Sequence, residues 1–381
     1  GKLMQYFQNK VEVNNIPYYE FKTIEEQENF FLKIRKKAVK YLKDQIFEIY
    51  YCKTYDNKFM FVFKVCHLVF DIYGLNNIYK DLFDIYEALE NKTELPPLPT
   101  KFEDVVKKDL INKNNPELIK RNKEFFENYL NSHEYPYYAG LHGEKLPLWQ
   151  KVLKKNKRTM KMFFVKNDTQ GYMFPIDKTV TEKAIEFCKE NHCTLSNFFF
   201  YTMSVTASKM NGNIKNMLPL ELCNCRATVT EKKCGGTKVQ SIGCYTTVEH
   251  EKSFEENLNS FSTEQTNLYR FIGFSDQEFQ MLLHKVYKSS LLSTFYSLTF
   301  SFIPFEQMKD IDIQIYSNGK CALPAYIALM WDIKSNNINV AYDVQTKIIS
   351  KEDVETFHKN YVEVLNQVLT NPQVLIKDIK F

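Results

Sequence analysis

Residues 59–89, FMFVFKVCHLVFDIYGLNNIYKDLFDIYEAL, decide how the rest of the chain is read. Apolar residues fill almost every position from Phe59 to Val65, the pattern of a strand covered on both faces. Cys66-His67-Leu68-Val69-Phe70-Asp71 follows, and Gly74 then opens an amphipathic helix with Leu75, Ile78, Leu82, Ile85 and Leu89 on one face. A histidine ending such a strand, four residues before an aspartate at a turn, can be held rigidly over a cavity. Taken alone, a histidine there reads more readily as a satisfied core residue, so the flanks must decide.

On the N-terminal side, residues 3–7 and 16–21 read as extended, and Thr23 with Glu26 looks like a capping box opening a helix to residue 43. Residues 46–55 and 58–65, joined across Asp56-Asn57, read as a hairpin. On the other side Leu95-Pro96-Pro97-Leu98-Pro99 is a stiff extended connector. Helices are expected at 102–110, 116–130, 179–191, 194–210, 254–270, 276–289 and 351–369. Strands are expected at 159–165, 172–176, 216–230, 241–248, 295–303, 311–316, 326–333 and 338–343, with a loop at 135–148. Helix 194–210 is apolar nearly all round and should be buried. Irregular alternation of the two types in both halves favours an α/β fold with mixed sheets over a bundle or a sandwich. The 381 residues suffice for two lobes, which would meet along a cleft.

Composition narrows the function classes. Fifty Lys and Arg against 46 Asp and Glu leave +4, too small a bias to argue for nucleic acid. Residues 151–158 (KVLKKNKR) form the densest basic run, a solvated surface or a dock for an acidic partner. No run approaches the roughly 20 apolar residues of a membrane helix. Nine cysteines without a disulfide-framework spacing point to a reducing compartment, the cytoplasm. Cys223, Cys225 and Cys234 lack a second metal-binding pair, and Cys188 and Cys193 straddle a helix end as packing residues. His133, His142, His192, His250, His284 and His358 lie in polar contexts and read as surface. There is no Gly-x-Ser-x-Gly, phosphate loop or dinucleotide fingerprint.

The central stretch resembles the active-site motif of the condensation domains of nonribosomal peptide synthetases, within the chloramphenicol-acetyltransferase-like acyltransferases. Their pattern is His-His-x-x-x-Asp-Gly followed by a helix. Here His67 and Asp71 match, Cys66 stands for the first histidine, Ile72 for the glycine, and a glycine appears at Gly74. Further along, Leu222-Cys223-Asn224-Cys225-Arg226 and Ile242-Gly243-Cys244-Tyr245-Thr246-Thr247-Val248 resemble the family's strand-ending arginine and its Ile-Gly-x-Phe segment. Residues 325–343 resemble its late hairpin with the inter-lobe crossover, and 351–379 its last helix with the exit Asn371-Pro372. The likeness runs through nearly all 381 residues, starting at what looks like the family's second strand region, so its opening strand and helix are expected to be missing.

The resemblance implies two chloramphenicol-acetyltransferase-like lobes arranged as a V around a central tunnel, residues 1–170 carrying the histidine motif and 171–381 carrying Arg226. It implies His67 as the catalytic residue, as general base or as positioner of an amine. Asp71 and Arg226 would form a buried structural ion pair, with Cys66, Ile72 and Gly74 around them. Tyr245 and Thr246 would lie on the tunnel. Ser297, Thr299 and Ser301 alternate in a strand of Phe and Leu, and such a polar stripe can face a cleft or water. Consecutive strand residues point to opposite faces, which argues against a Cys66–His67 nucleophile pair and for Cys66 as a packed residue.

The implied reaction joins a donor acyl thioester to an acceptor amine, both on phosphopantetheine arms delivered by peptidyl or acyl carrier proteins. No permanently bound cofactor or metal is expected. Neighbouring synthetase domains would be partners in antibiotic or other secondary-metabolite biosynthesis, and the domain itself would be a monomer. Two alternatives stay open: a free-standing acyltransferase with a soluble amine or alcohol acceptor, and a catalytically silent domain that binds carriers. Cyclisation relatives carry aspartates where His67 stands, and the additional glutamate motif of epimerisation relatives is not found.

Overall fold

A computed structural model describes residues 16–40, 42–43, 46–145, 159–162, 167–306 and 313–381 of the chain. The strand expected at 3–7 and the basic run at 151–158 lie outside the described residues. The chain divides into two compact units. One comprises Gly1–Asn115, Asn224–Val239 and Tyr316–Asn318; the other comprises Pro116–Cys223, Gln240–Ile315 and Gly319–Phe381. Arg226 lies in the first of these units.

In the first unit a three-stranded sheet sets the motif in place. Phe47–Lys53 runs antiparallel to Phe59–Val65 through a turn whose Asn57 adopts positive φ (63°), and Tyr18–Glu20 pairs parallel to the first of these. Helix Ile24–Lys36, capped by Thr23, covers one face; Phe30 meets Tyr19, Phe21 and Tyr50 at 4.6–5.7 Å. The helix stops at Lys36, short of residue 43. On the other face Tyr79 of helix Ile72–Asn91 reaches Phe63, with ring centroids 5.3 Å apart. That helix does not extend over the strand's first residues. Phe59 is 62% exposed and Phe61 47%, so the expected cover on both faces is corrected. Ile85 and Leu89, expected on the buried face of the helix, are also exposed.

The second unit is built on a six-stranded mixed sheet. Its order is Thr169–Ile176, Asn337–Gln345, Ala325–Asp332, Thr299–Phe305, Leu220–Asn224, Val239–Gly243. Thr299–Phe305 is parallel to both neighbours, and Asn337–Gln345 is antiparallel to both of its own. Helix Leu195–Met210 is buried from Asn197 through Ser208, because its apolar residues leave no face fit for water. Phe200 stacks on Phe300 (4.6 Å, 10°) and Phe199 on Phe302 (6.4 Å, 17°). Closing helix Lys351–Thr370 starts at a reciprocal Ser350/Asp353 capping box.

Three expectations are corrected. Residues 216–230 are not one strand: Asn216–Met217 and Leu220–Asn224 are followed by a helical turn, Val229–Lys232, with a Thr228/Glu231 capping box. Residues 313–316 form no strand. His142, His284 and His358 are buried, and His133 and His250 half-buried, leaving only His192 of that group exposed. Polar sequence neighbours misled there; each buried ring has a local partner at Nδ1, His142 with the Gly143 carbonyl (2.8 Å), His284 with Ser289 Oγ (2.7 Å) and His358 with Tyr342 Oη (3.0 Å), while His142 Nε2 meets no hydrogen-bond partner among the described residues.

Candidate active site

His67 does not end the strand. Phe59–Val65 stops two residues earlier, and Cys66 to Val69 make a tight turn closed by Val69 N–H donating to the Cys66 carbonyl (3.0 Å). The turn presents the His67 side chain to solvent and leaves Cys66 half-buried. Strand alternation therefore does not govern the directions of Cys66 and His67; the turn does.

Asp71 is the N-cap of the motif helix, and its buried carboxylate is fully used. Oδ1 accepts from Gly74 N–H (2.8 Å), and Oδ2 accepts from Arg226 Nη1 and from Lys238 N–H (both 2.7 Å). Both partners of the Asp71–Arg226 ion pair lie out of water, with side chains 4% and 0% exposed. Arg226 also donates from Nη1 to Asn224 Oδ1 (3.2 Å) and from Nη2 to the Gly236 carbonyl (2.8 Å), and its guanidinium lies 5.7 Å from the Tyr73 ring centre. A buried pair holds only when its remaining donors and lone pairs are met, and here they largely are.

The glycine displaced from the family pattern has a packing reason. A Cβ on Gly74 would lie 2.5 Å from the Gly236 carbonyl oxygen, and Gly236 itself has φ of +87° under the Phe102 ring. Ile72 is the first helical residue and half-buried; its φ is negative, so a β-branched side chain is tolerated there without backbone strain.

Sequence reasoning missed most of what surrounds the pair. Asn77 Nδ2 donates to the carbonyls of Lys232 and Cys234 (both 2.9 Å), sewing residues 232–234 to the motif helix. Lys238 Nζ reaches both Asp109 oxygens (2.9 and 3.0 Å) and Glu231 Oε1 (3.6 Å). Burial opposes ionisation of Glu231. Hydrogen bonds from the Thr228 N–H and hydroxyl, the Lys238 charge and the Ala227 N–H outweigh it, and the carboxyl is pulled down to about 2. Thr228-x-x-Glu231 was a legible capping-box signal, hidden by reading the segment as strand.

The remaining candidates lie in the second unit. Tyr245 is buried, its hydroxyl donating to the Glu134 carbonyl (2.8 Å) and its N–H to Tyr129 Oη (2.7 Å). Thr246 is buried and donates to the Cys244 carbonyl (3.2 Å). Ser297, Thr299 and Ser301 are all buried; the Ser297 and Thr299 hydroxyls have no hydrogen-bond partner among the described residues, and Ser301 meets the Tyr326 hydroxyl. Thr299 and Ser301 occupy the sheet face opposite Phe300 and Phe302, as alternation requires.

The site thus combines an exposed histidine on a turn, a buried aspartate–arginine pair four residues on, and a helix in a mixed α/β fold. The Condensation domain family model matches residues 1–381, and the chain belongs to that family, whose members are in general acyltransferases of amide-bond-forming condensation, working with carrier-protein pantetheine arms. It is 18% identical over 346 residues to a plipastatin synthase of Bacillus subtilis (strain 168), covering 89% of this chain and 13% of that much longer protein. Among solved structures it is similar to the condensation domain from the monacolin K polyketide synthase (TM-score 0.76, 12% identity, 96% of this chain and 81% of that one). The first condensation domain of the CDA synthetase gives TM-score 0.74 (11% identity, 96% and 78%), and the X-domain from teicoplanin biosynthesis 0.75 (11% identity, 99% and 83%). Among the described residues no helix is long and apolar enough to cross a membrane.

Proposed function

We propose that this domain forms an amide bond between a donor acyl thioester and an acceptor amine, each carried on the phosphopantetheine arm of a carrier protein. The observation that supports it most is the His67 turn: a solvent-facing imidazole whose peptide leads, four residues on, into a carboxylate clamped by Arg226. The amine nitrogen attacks the thioester carbonyl carbon, the C–N bond forms, the C–S bond breaks, and the thiol leaves with the amine's surplus proton. His67 accepts that proton or orients the amine lone pair. Asp71 and Arg226 act structurally. Following the family's chain order, residues 1–170 and 171–381 serve as the two lobes of a monomer, with Tyr245, Thr246, Ser297, Thr299 and Ser301 toward the substrate arms. Carrier proteins and neighbouring synthetase domains are the partners.

A second reading rests on two departures. Cys66 and Ile72 stand where the family carries histidine and glycine, and one structural neighbour is an X-domain whose complex with OxyB has been solved. On that reading the domain recruits partners without chemistry. A time course with loaded donor and acceptor carriers decides. His67→Ala should lower the rate at least about a hundredfold. Unchanged product formation in His67→Ala removes the catalytic assignment, and no product from the wild type while carriers still bind favours the recruiting domain. Product formed with a soluble amine but not a carried one points to a free-standing acyltransferase.

A further inference from the structure

The geometry points to Lys238 as a positioning residue for His67, acting through a strap, residues 236–238, that runs beneath the motif. This rests on the reading of His67 as the reacting centre. The strap touches the motif along its length. The Gly236 carbonyl accepts from Asp71 N–H (3.5 Å) and from Arg226 Nη2 (2.8 Å). Thr237 Oγ1 donates to the His67 carbonyl (3.5 Å), and Lys238 N–H donates to Asp71 Oδ2 (2.7 Å). The Lys238 carbonyl in turn accepts from Cys225 N–H (2.8 Å), beside Arg226. A shift of this strap therefore moves the His67 peptide, the Asp71 carboxylate and the Arg226 guanidinium together.

What holds the strap is the Lys238 side chain. Its ammonium sits between Asp109 of helix Phe102–Lys113 and Glu231 of the short turn, and it is only 10% exposed. The same helix supplies Phe102, which packs on Gly236. Two residues of one helix thus grip the strap at positions 236 and 238, one by an aromatic ring and one by charge. Asp109 is 36% exposed, so the fold does not depend on burying it. The pair is placed to set a height rather than to supply stability.

The test measures condensation kinetics and thermal unfolding of the whole domain, together with the His67 ring-proton chemical shift at one fixed pH in histidine-labelled protein. Lys238→Met should lower kcat about tenfold to a hundredfold, the cost of misplacing a reacting group by about 1 Å, with KM held. Lys238→Arg should restore most of it. Asp109→Asn, at a half-open site, should reproduce part of the loss without lowering Tm, and covers the case in which Lys238→Met fails to fold. Both Lys238→Met and Asp109→Asn should shift the His67 resonance. Full kcat and an unmoved His67 resonance in folded Asp109→Asn or Lys238→Met overturn the inference. So does an equal loss in the Arg variant. If the wild type makes no amide, the reading of His67 chemistry falls by itself, and the resonance still decides whether Lys238 sets the turn.

Discussion

Removing Arg226 strands a carboxylate that is only 4% exposed. Breaking one partner of a buried pair typically costs about 3–5 kcal/mol. Asp71 keeps two backbone donors, Gly74 and Lys238, so Arg226→Met should fall near the lower end, about 3 kcal/mol, read as a shift of the urea midpoint. The double variant Asp71→Leu/Arg226→Met should be less destabilised than the sum of the two single variants, since it leaves no unpaired charge. Additive losses would mean the two side chains act separately. The His67–Asp71 spacing and the helix that follows it were legible in the sequence, and the family resemblance singled them out. The approach of Lys238 and Glu231 to the pair was not legible: they lie 167 and 160 residues from Asp71, and only folding brings a backbone N–H at 238 onto its carboxylate.

At the scale of elements, the motif helix and the 224–239 segment approach until only glycine fits between them. Alanine is favoured over glycine inside a helix by about 1 kcal/mol, which taken alone predicts that Gly74→Ala stabilises. Contact decides otherwise. The new Cβ would sit 2.5 Å from a backbone oxygen of Gly236, and Gly236 cannot retreat under Phe102. Gly74→Ala should therefore lower Tm, by an amount equivalent to about 1–3 kcal/mol of overpacking. A rise in Tm would show that the segment yields. The element boundaries tell a similar story. Helix Leu195–Met210 was readable because its apolar composition has one outcome, burial. The segment 216–230 was misread because β-prone threonines and apolar residues outweighed, in a local reading, a capping box that needs a turn.

At the scale of the whole molecule, pH should act on stability through the second unit. His133 joins helix Pro116–Ser132 to helix Phe254–Tyr269: Nδ1 faces the Tyr129 carbonyl (2.6 Å), Nε2 faces Glu264 Oε1 (2.8 Å), and the ring lies over Tyr245 (4.1 Å). A carbonyl at one ring nitrogen and a carboxylate near the other favour the imidazolium. Burial lowers its pKa, but the bond to Glu264 and the Tyr129 carbonyl prevail, and it lies above its ordinary 6.5. A histidine raised on folding contributes stability that is complete below the unfolded value and fades as pH rises through the folded one. The difference in unfolding free energy between wild type and His133→Gln should be largest near about pH 5.5 and shrink toward about pH 8. His142, His250, His284 and His358 are pushed the other way by desolvation, so the wild-type curve alone would mask this, and the paired variant is needed. A difference that grows with pH would remove the imidazolium assignment.

Local chemistry in the chain determined the mixed α/β class, the all-round burial of helix Leu195–Met210 and the histidine–aspartate spacing, because periodicity and spacing act over a few residues and survive without tertiary context. Only the folded structure decided that His67 sits on a solvent-facing turn, that Ile85 and Leu89 stay exposed, and that Lys238 joins the Asp71–Arg226 pair. Those outcomes depend on contacts between residues far apart in the chain, where burial of a charge pair and the close approach of two glycines outweigh anything a neighbouring residue can signal.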